Sequence, residues 1–155
     1  MKGLIQRVSR ASVSIDGCTV GAIDAGILLF LAIEAADTDD SAQRLLDRVI
    51  RYRIFPDEQG RMNRSLVDCG YDLLVVSQFT LAADTHKGLR PSFSGGADPA
   101  LGLQLYERFL DKARERLSEL NVGRSNAMTL ASGRFGADMQ VSLINDGPVT
   151  FLLNV

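Results

Sequence analysis

The chain contains very little histidine and cysteine, one and two residues among 155. The single histidine, His86, would have to serve any Ser-His-Asp triad, but its segment, Asp84-Thr85-His86-Lys87-Gly88, is typical of a solvated surface turn. Cys18 and Cys69 are far apart in sequence, with no second Cys or His at ligand spacing. Neither a zinc site nor a thioredoxin-type motif is therefore supported, and we expect two buried free thiols, no disulfide, no metal and no cofactor.

Signatures of membrane proteins and of several enzyme classes are also absent. No apolar stretch approaches the roughly 18 residues of a membrane span, and the N-terminal segment Met1 to Arg7 is strand-like rather than a signal peptide. We therefore expect a cytoplasmic protein with no membrane partner. No carboxylate pair supports a glycosidase mechanism. Ser94-Gly95-Gly96 precedes a predicted helix but lacks the strand and the glycine spacing of a dinucleotide site.

Composition is that of an ordinary globular chain, with 46% hydrophobic and 23% charged residues, and its length predicts one domain over 1–155. The net charge of -2 argues against broad nucleic-acid binding, because neutralisation of phosphates drives most of that affinity. Contact with RNA would need a local patch. The basic residues that could form one, or could equally be solvated loop charges, are Arg61, Arg64, Lys87 and Arg90.

The first half of the chain changes from a strand pattern to a helix pattern. Ser12 to Val20 predicts a hairpin with an Asp16-Gly17 turn. Gly26 to Ile33 is continuously apolar, as expected for a strand covered on both faces. Apolar residues then recur at helical spacing, which predicts a helix from about Asp40 to Tyr52 with Thr38 or Asp39 as its N-cap.

The second half predicts a strand, a loop, a helix and two closing strands. Their expected limits are Tyr71 to Leu81, Ala83 to Ala97, a helix that begins at Asp98-Pro99, Met139 to Ile144, and Val149 to Val155. This order of elements predicts an α/β fold with mixed, largely antiparallel sheets. Two main helices would cover one side of a sheet, and a second sheet layer would lie beneath, in a three-layer α/β/β domain.

Two short segments carry the chemistry. Ser77-Gln78-Phe79-Thr80 follows an apolar strand, and its hydroxyl, amide and backbone N–H groups could orient a water and hold an oxyanion without any ionisable residue. Gly147-Pro148 precedes the last apolar run. Because proline cannot donate to a sheet ladder, this pair forms either an ordinary turn or bare backbone that meets a ligand.

These two segments resemble the signatures of the D-aminoacyl-tRNA deacylases, Ser-Gln-Phe-Thr and Asn-x-Gly-Pro-x-Thr, at every fixed position. The likeness covers nearly the whole chain. Its further parts are Leu4 to Val8, Arg10 to Val13, Tyr52 to Phe55, Met62-Asn63, Arg90 to Phe93 and Asp138 to Val141. Only the stretch from Asn121 to Ser132 departs from the pattern and looks longer than expected for the family.

The resemblance implies a homodimer that hydrolyses the ester of D-aminoacyl-tRNA, and of glycyl-tRNA, at active sites in the subunit interface. It implies the backbone N–H groups of Phe79 and Thr80 as the anion site, Ser77 and Gln78 as orienting groups, and Met139 as a substrate-binding residue. The 2′-hydroxyl of the terminal adenosine would assist. Whether the Thr80 hydroxyl takes part is left open, because a hydroxyl with no base is a poor nucleophile.

The resemblance also implies how chirality is read. Gly147-Pro148 would be a cis peptide inserted into the partner's active site, and Arg7 would hold its loop. A fixed steric element of this kind can reject one chirality and ignore side-chain identity. Two alternatives stay open at this point: an RNA-binding dimer module without turnover, and an esterase for small molecules.

Overall fold

The computed structural model describes residues 1–86 and 88–155, so the basic candidate Lys87 lies outside the described residues. The strands are β1 (Lys2–Ile15), β2 (Cys18–Ile23), β3 (Gly26–Ala32), β4 (Phe55–Pro56), β5 (Met62–Arg64), β6 (Asp72–Ser77), β7 (Leu130–Ser132) and β8 (Gln140–Asn154). The helices are α1 (Asp39–Arg51), α2 (Leu66–Cys69) and α3 (Pro99–Asn121), with a 3₁₀ helix at Phe79–Ala82. Sequence patterns alone did not indicate β4, β5, α2 or β7, which are all four residues long or shorter.

Each long helix begins where its capping residue predicts. Thr38 accepts from the Ser41 N–H and forms a capping box, so α1 starts at Asp39, one residue before the predicted limit. Asp98 accepts from the backbone of Ala100 and Leu101, and Pro99 occupies the first helical position of α3. Both predicted helices are thus confirmed, and their apolar faces are buried.

A single mixed sheet holds six strands in the described part of the chain. The order β2-β1-β3-β6-β7 combines antiparallel pairs around β1 with parallel pairs of β6 with β3 and β7. β8 pairs antiparallel with β1 over almost its whole length. On its other edge, β1 pairs with β3 over Lys2 to Val8 and with β2 over Ala11 to Ile15. The long strands β1 and β8 therefore belong to two regions of the sheet.

Two separate cores show that the sheet bends into two layers. One core joins α1 and α3 to one face of β3 and β6, through residues such as Leu29, Val75 and Phe109. The other joins the opposite face, through Leu28 and Leu74, to the far halves of β1 and β8. The predicted α/β/β arrangement is confirmed, with one difference: the two β layers are parts of one hydrogen-bonded sheet, because β1 and β8 run through both.

The structure corrects three expectations. The strand predicted to run to Leu81 ends at Ser77, where the chain turns into the 3₁₀ helix. The two predicted C-terminal strands are one strand, β8, because its pairing with β1 resumes after a local irregularity around the Gly-Pro pair. Cys18 is exposed and Cys69 half-buried, so neither thiol is fully buried as expected. Cys18 opens β2 immediately after the hairpin turn, where side chains face water.

Among the described residues, no helix combines the length and apolar character that a membrane crossing requires.

Candidate active site

A cavity of about 500 Å³ opens at the carboxyl ends of the parallel strands β3 and β6. Ligands of α/β sheets bind at this end of parallel strands, because polar loop groups converge there. Ser77, Gln78 and Phe79 line one wall, and Met139 lines another. Four of the predicted site residues are thus brought together, and Thr80 directly follows Phe79 in the chain.

The first wall is shaped by the way in which β6 ends. The Gln78 N–H donates to the Leu31 carbonyl at 2.8 Å, after which the chain leaves the ladder. The 3₁₀ helix then begins, with the Leu81 N–H donating to the Gln78 carbonyl at 3.2 Å. The N–H groups of Phe79 and Thr80 have no acceptor among the described residues, as is usual for the first turn of a helix. Two adjacent donors are therefore available to an anion.

The side chains of this wall are uncharged. The Gln78 Nε2 donates to the Thr80 Oγ1 at 2.6 Å, which orients both groups. Phe79 is 65% exposed and packs against the ring of Phe93 at a centroid distance of 5.2 Å. With no ionisable side chain in the cavity lining, the site can offer hydrogen bonds and dipoles but no side-chain base.

The opposite wall is formed by α3 and the segment after β7. Phe135 packs on Gly102 so closely that a Cβ there would lie 3.0 Å from the ring. The buried Tyr106 hydroxyl lies 3.1 Å from both the Val75 and the Gly133 carbonyls. Burial raises the pKa of Tyr106 to about 12, so the hydroxyl keeps its proton. Tyr106 thus joins α3 to β6 and to the segment that carries Phe135.

The Gly147-Pro148 bond is cis, which confirms that prediction. The fixed residues of the motif explain how the loop is held. The Asn145 amide accepts from the Val149 N–H at 2.9 Å and donates to the Val149 carbonyl at 3.0 Å, so it closes the loop across the pair. Thr150 accepts from the Gln6 side chain at 3.0 Å, which fixes the strand that follows.

Arg7 also contacts this loop. Its Nε donates to the Asp146 carbonyl at 2.9 Å and lies 3.1 Å from the Asp146 carboxylate. Its second contact, a 2.6 Å bond to the Ile54 carbonyl, ties the guanidinium to the segment after α1. The side chain is 12% exposed, so these contacts are partly shielded from water. The loop is therefore held from two directions.

Gly147, Pro148 and Arg7 do not lie in the cavity of their own chain. Through β3, Arg7 is level with Leu73, four residues before Ser77. The Gly147-Pro148 pair lies beside Arg7 on β8, three strands away from β6. It is therefore about 13 Å along the strands and about 14 Å across them from Ser77, taking ~3.3 Å per residue and ~4.8 Å per strand. Within one protomer, the two signatures form separate sites.

The remaining candidates lie elsewhere. His86 is exposed and contacts Asp84. The pKa of Asp84 is lowered mainly by the hydrogen bond from the His86 backbone N–H, and also by the hydrogen bond from the His86 side chain. The described residues contain no group of three or more His, Cys, Asp or Glu side chains arranged to hold a metal ion. Arg61 and Arg64 are exposed in and beside β5, and Arg90 is exposed in the loop before α3, so none of the three lines the cavity.

Sequence reasoning missed part of the second wall. Gly102 is not recognisable from the sequence, because a glycine inside a helical pattern carries no chemical signal of its own. Phe135 lies in Gly133-Arg134-Phe135-Gly136, where flanking glycines around one aromatic residue could have indicated a loop that presents a side chain.

Comparison with known proteins identifies the family to which the chain belongs. The D-Tyr-tRNA(Tyr) deacylase family matches residues 4–154. The D-aminoacyl-tRNA deacylase of Pseudomonas entomophila (strain L48) is 55% identical over 155 residues, with full coverage of both chains. That of Stutzerimonas stutzeri (strain A1501) is 56% identical over 153 residues, 99% of each chain. The full-length match to the first relative gives no sign of an added segment between Asn121 and Ser132.

Solved structures share the fold. A c-Myc DNA Unwinding Element Binding Protein superposes with a TM-score of 0.87 and 36% identity, covering 100% of this chain and 99% of that chain. A probable eukaryotic D-amino acid tRNA deacylase superposes with a TM-score of 0.79 over 99% and 98% of the two chains; at 19% identity it shows the fold alone. From its family match and its curated relatives, this chain belongs to the D-Tyr-tRNA(Tyr) deacylase family.

Proposed function

We propose that this chain hydrolyses the ester that joins a D-amino acid to tRNA and releases the free amino acid and the tRNA. The observation that carries the proposal is the cavity at the ends of β3 and β6. Ser77, Gln78 and Phe79 line this cavity, and the N–H groups of Phe79 and of the next residue, Thr80, have no acceptor among the described residues. Family membership gives the substrate class. We place the activity in the cytoplasm, where aminoacyl-tRNA is used.

The chemistry needs orientation and charge stabilisation more than a strong base, because an aminoacyl ester is already activated. Water attacks the ester carbonyl carbon, and negative charge develops on the carbonyl oxygen. The N–H groups of Phe79 and Thr80 stabilise that charge, while Ser77 and Gln78 orient the reacting groups. The carbon–oxygen bond to the ribose then breaks, and the departing oxygen takes a proton with help from the neighbouring 2′-hydroxyl.

Chirality is read by a second copy of the chain. The Gly147-Pro148 loop lies too far from the cavity of its own protomer to shape it, so a partner has to supply this element. Support for a partner comes from β8, which pairs only with β1 in the described part of the chain. It exposes the large apolar side chains Ile144, Phe151 and Leu152. An exposed apolar edge strand is suited to contact with another copy.

In the dimer, the loop of one protomer excludes the side chain of an L-amino acid from the cavity of the other. Arg7 and Asn145 hold the loop through backbone contacts, so it acts as a fixed steric element. Met139 lines the cavity on the substrate side. Because glycine has no side chain to exclude, glycyl-tRNA should pass the same gate and be cleaved as a side activity.

The test is a deacylation assay with D-tyrosyl-tRNA, L-tyrosyl-tRNA and glycyl-tRNA. We expect release of D-tyrosine and glycine, and retention of the L-ester. Binding of tRNA without loss of ester would favour an RNA-binding dimer module. Equal hydrolysis of a free D-tyrosine ester and of the charged tRNA would favour a small-molecule esterase. Hydrolysis of both enantiomers at similar rates would contradict the steric gate.

A further inference from the structure

A second cavity, of about 370 Å³, lies beside the first, in the groove between α3 and the segment that follows β7. Phe135 borders both cavities, so only this side chain and its neighbours separate them. Gly102 lines the first cavity and Glu107 the second. Because these two residues are five positions apart on α3, they are offset by about 7.5 Å along the helix axis at ~1.5 Å per residue.

The lining of the second cavity combines apolar surface with two charges that are available to a ligand. Leu103, 41% exposed, and Phe135 provide the apolar part. Arg114 is paired with Asp111 at 2.7 Å. Arg134 and Glu107, in contrast, are exposed. Within residues 1–86 and 88–155, neither makes an ion pair or a side-chain hydrogen bond. An exposed cation and an exposed carboxylate thus face a groove that is partly apolar.

A cation, a carboxylate and an apolar surface are the groups that a single nucleotide needs for binding. A phosphate requires a cation, for which a guanidinium is well suited. A nucleobase requires an apolar or aromatic surface, and its exocyclic amine requires an acceptor; a carboxylate accepts from the N4 amine of cytosine. A single unstacked nucleotide can span the offset between the cavities, because unstacking lengthens the strand beyond its stacked rise of ~3.4 Å.

We propose that the second cavity binds the nucleotide that precedes the terminal adenosine of the tRNA, which is a cytidine in every mature tRNA. Arg134 contacts the phosphate that links the two nucleotides, the base lies against Leu103 and Phe135, and the Glu107 carboxylate accepts from the cytosine amine. This inference rests on the proposed function, since the first cavity must hold the terminal aminoacyl-adenosine. Such a site would let the enzyme bind the end of the tRNA whichever amino acid the tRNA carries.

The experiment compares D-tyrosine esters of adenosine, of the dinucleotide CpA and of UpA with the wild-type enzyme. We expect kcat/KM to rise from adenosine to CpA and to be lower for UpA than for CpA. Arg134→Gln should lower kcat/KM about tenfold or more on CpA and UpA, the loss expected when a hydrogen bond to a charged group is removed. On the adenosine ester it should have no effect. Glu107→Ala removes the acceptor and should make kcat/KM for CpA and UpA equal.

Arg108→Gln is the matched control, because Arg108 is exposed on the same helix and lines neither cavity. Equal kcat/KM for adenosine and CpA in the wild type, or an equal loss on both esters in Arg134→Gln, would overturn the proposal. Charged tRNA whose penultimate cytidine is replaced by uridine gives a second measurement and should be cleaved more slowly than natural tRNA. If no D-tyrosyl ester is hydrolysed at all, the proposed function itself fails; stereoselective cleavage without a gain from CpA rejects this inference alone.

Discussion

The Gln78 amide donates to the Thr80 hydroxyl, which leaves the hydroxyl proton available to a water or to a substrate oxygen. No base lies within the cavity lining to remove that proton. A threonine in this setting can position a water but is poorly activated as a nucleophile. At the scale of residues, the site therefore depends on where its donors point, and the backbone supplies two of them.

Thr80→Ala should accordingly lower kcat by no more than about tenfold, against the roughly 10⁶-fold loss that follows removal of a true nucleophile. Single-turnover hydrolysis of D-tyrosyl-tRNA measures the effect. A substrate whose terminal adenosine lacks the 2′-hydroxyl should react far more slowly with the wild type. If the variant is inactive while the deoxy substrate reacts normally, Thr80 is the nucleophile.

His86→Ala should leave kcat within about twofold of the wild type, because His86 pairs with Asp84 at the exposed surface and does not line the cavity. Between pH 6 and 8 both proteins should give the same pH profile, because the cavity lining contains no histidine and no other ionisable side chain. A step in the wild-type profile that disappears in the variant would assign a catalytic role to His86.

At the scale of elements, the two walls of the site come from different parts of the fold. β6 ends at Ser77 and provides one wall, while α3 and the segment after β7 provide the other. The Tyr106 hydroxyl joins these elements, since it lies between a carbonyl of β6 and a carbonyl just after β7. The width of the cavity is therefore set by a contact outside it.

Tyr106→Phe should lower the free energy of unfolding by about 1 kcal/mol at neutral pH, the usual net value of a buried hydrogen bond. The raised pKa of Tyr106 adds a pH dependence. The folded state favours the protonated phenol, so this stabilisation is complete below the unfolded pKa of ~10. It is lost as the pH rises toward the folded value of about 12.

The difference between wild type and Tyr106→Phe should therefore shrink above pH 10, as measured by urea unfolding at several pH values. Tyr71→Phe is the control, because Tyr71 is 37% exposed and makes no side-chain hydrogen bond within the described residues. A variant difference that stays constant with pH, or an equal loss in the control, would contradict the assigned contact.

At the scale of the whole molecule, the bend of the sheet places the two signatures far apart. Ser77 to Thr80 lie at the end of β6, and the Gly147-Pro148 pair lies in the middle of β8. A site that uses both therefore needs two copies of the chain. The exposed apolar residues of β8 lie on the same strand as the pair, so one surface could serve both assembly and substrate selection.

Leu152→Glu should convert the proposed dimer to a monomer and abolish the preference for D-tyrosyl-tRNA, because a carboxylate would be buried without a partner in the proposed interface. Leu152 is 53% exposed, so the monomer itself should fold. Light scattering and deacylation are the measurements. The control is Val122→Glu, at an 83% exposed apolar position just after α3. A Leu152→Glu protein that stays dimeric and stereoselective would exclude β8 from the interface.

Local sequence patterns are sufficient to indicate the family, the order of the main elements and the uncharged character of the candidate site. Capping residues set the starts of the long helices, and continuous apolar sequence set β3, since these depend on local steric and hydrogen-bonding rules. The Asp16-Gly17 turn was set in the same way, because both residues adopt a positive φ. The two signature motifs mark Ser77 to Thr80 and Gly147-Pro148 as candidate site residues.

How these parts meet depends on the tertiary structure. β6 stops at Ser77 although apolar residues continue, because the ladder with β3 ends there. β8 continues past Gly147-Pro148 as one strand, because its residues before and after this pair are both hydrogen-bonded to β1. The wall formed by Gly102 and Phe135 joins residues 33 positions apart, so no local pattern could reveal it. Such contacts depend on packing between distant segments, which sequence periodicity does not encode.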